Sequence, residues 1–150
     1  MVPESLTGSW GGASQETPMI GDDYERACSI LCRLGVISVG GGDALVLGDS
    51  PDDTTAIETS IGPALLRWQC ADSEAELLLS VSENAATASV VETLHHTFLE
   101  SSQILSDSAW PGAEFEDLLM FHIKPDPYKI TTRAFSDERV GFLLHICEQC

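Results

Sequence analysis

Four histidines, five cysteines and twenty-four carboxylates are the side chains in this 150-residue sequence that could do chemistry. Cys28 and Cys32 stand four apart in a helical pattern, and Cys147-Glu148-Gln149-Cys150 is a C-x-x-C, so a four-sulfur zinc site can be drawn. The second pair falls on the last residues, whereas a zinc knuckle sets its pair on a tight turn with chain on both sides. The thiols are therefore expected to be buried in a core helix and strand as small apolar side chains. His95 and His96 are adjacent. On a strand they point to opposite faces and cannot share one metal as an i, i+2 pair can. His122 and His145 fall opposite the apolar side of their strands, where half-exposure is expected.

No G-x-S-x-G elbow, H-E-x-x-H, EF-hand loop or H-x-E with P-C-x-x-C occurs. An enzyme would have to gather scattered groups, such as Cys32 beside a histidine or two carboxylates. With so many acids some close pair is unavoidable and carries little weight. The Gly40-Gly41-Gly42-Asp43 run lacks the Lys-Ser/Thr of a phosphate loop, precedes a β-prone run, and holds an aspartate that repels phosphate. No catalytic, metal or cofactor-binding residue is assigned, and no cofactor is expected.

The elements that would position these groups read as an α+β fold, mostly antiparallel β-sheet with two amphipathic helices packed on it. Residues 1–21, rich in Gly, Ser, Pro and Thr, read as an irregular arm anchored by Trp10. The spacing of Tyr24, Ala27, Cys28, Leu31 and Leu34 predicts a helix over about 22–34, capped by Asp22 or Asp23 and stopped at Gly35. Residues 36–39 and 44–47 should pair as a hairpin across the glycines. A strand is expected at 64–70, and Ser73-Glu74-Ala75-Glu76 is a capping box opening a second helix to about Glu83. Weak strands follow near 91–99 and 102–106. Then come three alternating runs in meander order, carried by Leu119/Phe121/Ile123, Tyr128/Ile130/Thr132 and Val140/Phe142/Leu144/Ile146. The length suits one domain over residues 1–150.

Seven Lys and Arg against twenty-four Asp and Glu leave a net charge of −17. Such a field repels nucleic acid and anionic lipid, so neither is expected as a partner. The longest apolar runs span a few residues, too few for a membrane crossing of about 20. The start has no basic segment leading into an apolar one, so a cytoplasmic location is expected, and reduced thiols with it. Residues 1–120 hold twenty of the acids and three of the bases, whereas the last thirty are neutral. The densest stretch, with Asp43, Asp49, Asp52, Asp53 and Glu58 and no Lys or Arg, reads either as a solvated loop or as a docking face for a basic protein. Trp110, in a Pro-Gly loop, is expected to be partly exposed and available to a partner, whereas Trp10 and Trp68 are expected to anchor structure.

An ordered set of motifs resembles the immunity protein 21 family of bacterial polymorphic-toxin systems. It comprises Asp22-Asp23-Tyr24-Glu25-Arg26-Ala27-Cys28, Leu34-Gly35-Val36-Ile37, Val39-Gly40, Asp43 through Asp49, Leu66-Arg67-Trp68 and Asp107-Ser108-Ala109-Trp110-Pro111-Gly112, with Trp10-Gly11-Gly12 ahead of them. The family pattern also has an apolar strand ahead of the segment matching Val2-Pro3-Glu4-Ser5, so an altered sheet edge is expected at that point. The resemblance implies a small cytoplasmic protein, encoded beside a toxin, that binds the toxin and neutralises it without chemistry of its own. On that reading the partner is a cognate toxin domain, a basic nuclease being one form it could take. Asp43, Asp49, Asp52, Asp53, Glu58 and Trp110 are the candidate contacts. Two other readings stay open at this point: an enzyme with a scattered Cys/His/carboxylate site, and an acidic regulatory or assembly subunit.

Overall fold

Two glycines close the first hairpin. Strand β2 (Leu34–Val39) pairs with β3 (Gly42–Leu47) from Leu34↔Leu47 to Val39↔Gly42. That register leaves Gly40 and Gly41 as the whole turn, at φ 58° and 91°, the left-handed values that a two-residue hairpin demands. The computed structural model describes residues 1–13, 22–48 and 52–150. Their contacts fall into two compact units, Met1–Ser50 with Phe98–Pro125, and Pro51–Thr97 with Asp126–Cys150.

In the first unit the expected irregular arm is an ordered piece of the fold over its described residues. Strand β1 (Val2–Pro3) pairs with β7 (Ser102–Leu105), and a 3-10 helix spans Glu4–Ser9. Val2 and Trp10 supply the reason, since both are buried in a cluster with Ala27, Ile37, Val39 and Ala44. Met1 exchanges two backbone bonds with Leu45, so the chain at β1 meets β7 on one side and β3 on the other. Strand β8 (Leu119–His122) pairs with β7 from Ser102↔His122 to Leu105↔Leu119.

Helix α1 is shorter than the periodicity predicts. It runs Asp23–Cys28, capped by Asp22, whose carboxylate accepts from Glu25 N at 2.7 Å. Leu34 is drawn into β2 opposite Leu47, and Leu31 is left 96% exposed. Strand pairing thus takes the residue that the helical pattern assigned to its last turn.

The second unit is a sheet in the order β4 (Thr54–Glu58), β5 (Pro63–Cys70), β10 (Gly141–Gln149), β9 (Asp126–Ser136), β6 (Ser89–Phe98). Ala64, Leu66, Phe142, Leu144 and Ile146 share a core cluster with Leu77 and Val81 of helix α2 (Glu74–Asn84). Phe142 stacks on Phe135 with ring centres 5.3 Å apart. The N-cap half of the box forms as expected at Ser73, whose hydroxyl accepts from Glu76 N at 3.3 Å, while the Glu76 carboxylate reaches back one residue further and accepts from Asp72 N. Leu77, Ser80 and Val81 form the buried side of α2, while Leu78 and Leu79 face water, so its apolar residues are not confined to one stripe. Helix α1 is a turn and a half long and buries Ala27 alone, so the α+β fold is mostly antiparallel sheet with short helices.

The expected three-strand meander is corrected as well. β9 and β10 pair from Gly141↔Ser136 to Gln149↔Tyr128, but β8 leaves them for β7. Alternation marks a strand and its buried side without naming its neighbour. The β9–β10 turn is set by Asp137, whose carboxylate accepts from Arg139 N and Val140 N at 2.8 Å each. Those two donors hold its carboxyl below the usual carboxylate range.

Candidate functional site

In the first unit the sequence motifs lock together. Trp10 is buried, and its indole Nε1 donates to Ser108 O at 3.1 Å. Gly112 N donates to Trp10 O at 2.8 Å and Ala13 N to Ala109 O at 2.9 Å. The crossing is so close that a Cβ on Gly12, at φ +63°, would lie 2.6 Å from Pro111 N, and one on Gly112 would overlap the Thr7 carbonyl. Asp23 accepts from Gly11 N at 2.9 Å and pairs with Arg26 at 3.0 Å, and Arg26 donates to Ser38 O at 2.6 Å. Trp10-Gly11-Gly12, Asp22 to Arg26, and Asp107 to Gly112 are therefore one scaffold. What that scaffold displays is Trp110, 52% exposed.

The acidic stretch is not one loop. Asp43 lies on β3, exposed, and accepts from Ser38 Oγ at 3.1 Å across the hairpin. Thr54–Glu58 is strand β4 at the edge of the second sheet, where the β-branched Thr54, Thr55 and Ile57 suit a half-covered strand. Asp53 and Glu58 are exposed. Asp52 is turned inward and faces Arg67 at 3.7 Å. Asp49 lies outside the described residues. Asp43 and Trp110 belong to the first unit, Asp52, Asp53 and Glu58 to the second.

The sequence reading passed over the acids around Trp110. Asp107, Glu114, Glu116 and Asp117 are all exposed, and residues 107–120 contain no Lys or Arg. Their signal was the density of acids beside an aromatic, masked by the equally acidic stretch earlier in the chain.

The bases are largely committed within the chain. Arg26, Arg67, Lys129 and Arg139 pair with Asp23, Asp52, Glu148 and Glu76, and Arg133 donates to Ala86 O and Ala88 O at 3.0 Å each. Seven bases cannot offset twenty-four carboxylates, which leaves the net field negative.

The histidines do not converge. His95 is exposed and His96 half-buried, consistent with opposite faces of β6, and His122 is exposed on β8. His145 departs from the expected half-exposure: it is 1% exposed, with Nδ1 2.9 Å from Thr132 Oγ1. Its strand lies between β5 and β9, and residues 141–147 are buried throughout, so even its less apolar side is interior.

The expected buried thiols hold for Cys147 alone. Cys28, Cys32, Cys70 and Cys150 are exposed, Cys28 because the short α1 gives its residues little to pack against. Among the described residues no group of three or more His, Cys, Asp or Glu could hold a metal ion. Burial pushes the Cys147 thiol up to about 12. A disulfide-exchange reagent at pH 8 should accordingly titrate the four exposed thiols quickly and Cys147 only on unfolding. Five equally fast thiols would show that β10 opens readily.

A mostly antiparallel α+β protein, with a strongly acidic surface and motifs spent on scaffolding, is what fold and site define. The chain belongs to the Immunity protein 21 family, whose model matches residues 1–139. No curated protein and no solved structure matches it. The family points to an immunity protein of a toxin system and to a role without catalysis. No helix among the described residues is long and apolar enough to cross a membrane.

Proposed function

We propose that this protein is a cytoplasmic immunity protein that forms a one-to-one complex with a cognate toxin domain and silences it by covering its active cleft, the acidic surface docking on a basic one. Membership of the Immunity protein 21 family is the observation that carries this reading. Supporting it, a net charge of −17 with its bases largely engaged internally suits steering toward a basic cleft, such as that of a nuclease. Inhibition by occlusion needs shape and charge alone.

The protein mixed with the toxin domain encoded beside it should co-elute and abolish the toxin's activity. A toxin fully active at saturating protein overturns the proposal. Asp43, Asp53 and Glu58 are exposed and suited to the encounter. Changing them together to Asn, Asn and Gln should slow association several-fold and flatten its salt dependence, with dissociation little changed. The reason is range: exposed charges act before contact and are screened once the Debye length falls to about 10 Å near 0.1 M salt. Stopped-flow rates at two salt concentrations read this directly. Faster dissociation instead would place those carboxylates inside the finished interface.

A further inference from the structure

We infer that the toxin is gripped by the segment from Asp107 to Met120 of the first unit, with Trp110 as an apolar knob and Glu114, Glu116 and Asp117 as a carboxylate rim. The partner element that fits it is an apolar slot bordered by Lys and Arg side chains. This rests on the proposed function and specifies the surface that carries it.

Three observations converge. The segment exposes Trp110, Leu118 and Met120, with Leu118 just before the edge strand β8 and Met120 within it, which is a heavy apolar load for one surface stretch. It is also held in advance of any partner. The bonds from Gly112 N and the Trp10 indole, the bond from Ala13 N, and the tight crossings at Gly12 and Gly112 fix the backbone on either side of Trp110. The anchoring indole is that of Trp10, so the indole of Trp110 is left for display. A knob fixed beforehand loses little freedom on binding, and aromatics of this kind are frequent hot spots.

The third observation is charge. Asp107, Glu114, Glu116 and Asp117 are exposed in the same segment as the knob, no cation occurs between residues 107 and 120, and Arg26 of the same unit is already spent on Asp23 and Ser38. An apolar partner surface lacking cations would have to strip water from these acids for no return. One bordered by Lys and Arg meets them with opposite charge.

The test uses the full chain and the toxin domain encoded beside it. W110A should weaken binding by roughly 30-fold or more, mostly through faster dissociation, while the melting temperature moves by no more than about 2 °C. The triple variant E114Q/E116Q/D117N, altered only at exposed positions, should slow association several-fold at low salt and weaken its salt dependence. If wild type binds and inhibits while both variants bind as it does, the assigned surface is overturned and the proposed function stands. If wild type itself neither binds nor inhibits, the proposed function falls and this inference with it. Should W110A melt far below wild type, the triple variant decides alone, and an unchanged association rate overturns the assignment.

Discussion

Replacement of Gly112 by alanine is expected to cost about 3 kcal/mol or more, the range of a severe steric substitution. The added Cβ would overlap the carbonyl oxygen of Thr7, which already accepts from Trp10 N at 3.0 Å. Both sides of the clash are backbone, so no flexible side chain can move aside. Relief requires the Pro-Gly loop to lift away from the 3-10 helix, which breaks the bond from Gly112 N to Trp10 O. At about 2–4 °C per kcal/mol for a chain of this size, the melting temperature should fall by roughly 10 °C. Gly8→Ala is the control, since a Cβ there meets nothing within 4 Å, and it should change stability by less than about 0.5 kcal/mol. If the two variants melt together, the close crossing of the Trp10 and Trp110 segments is wrong.

The second large effect is expected at Asp52. Arg67 is 2% exposed, and Asp52 places a carboxylate oxygen 3.7 Å from its guanidinium. Removing one carboxylate from beside a buried cation is costly even where the cation keeps other partners, so Asp52→Asn should lower stability by about 2 kcal/mol in urea denaturation. The neighbouring Asp53→Asn, at an exposed residue, should stay within about 0.5 kcal/mol. Arg67→Met alone and the Asp52→Asn/Arg67→Met double variant complete a cycle, in which the double variant should lose less than the two single losses added together. Losses that simply add around the cycle would mean that the pair is not coupled. For the toxin-binding proposal, an altered association rate in an Asp52 variant carries weight only alongside an intact fold.

The candidate site was legible in parts. Trp110 was expected to be partly exposed because it sits between Ala109 and Pro111-Gly112 rather than in a periodic run, and it is so. Trp68, expected as an anchor, is only half-buried, packed against the core cluster of the second unit. The acidic stretch was visible as charge, but its division between strand β3, the inward-facing Asp52 and strand β4 was not. Charge counting along a chain does not register that Arg67, fifteen residues further on, faces one of those carboxylates across the β4–β5 pairing.

By itself the sequence determined whatever depends on neighbours within a few residues, and the net charge. The Gly40-Gly41 turn follows from φ angles that only glycine adopts freely, the start of α2 from Ser73 and Glu76, and the strand character of β9 and β10 from alternation. Tertiary structure alone decided which strands meet and which motifs touch. β8 joins β7 rather than β9, Leu34 leaves a helical pattern for a strand, His145 is enclosed, and the Trp10 indole reaches Ser108 across 98 positions of sequence. A side chain's period is set by its own backbone, whereas its partner is set by which distant surface buries the most apolar area with its polar groups satisfied, and that comparison exists only once the whole chain has folded.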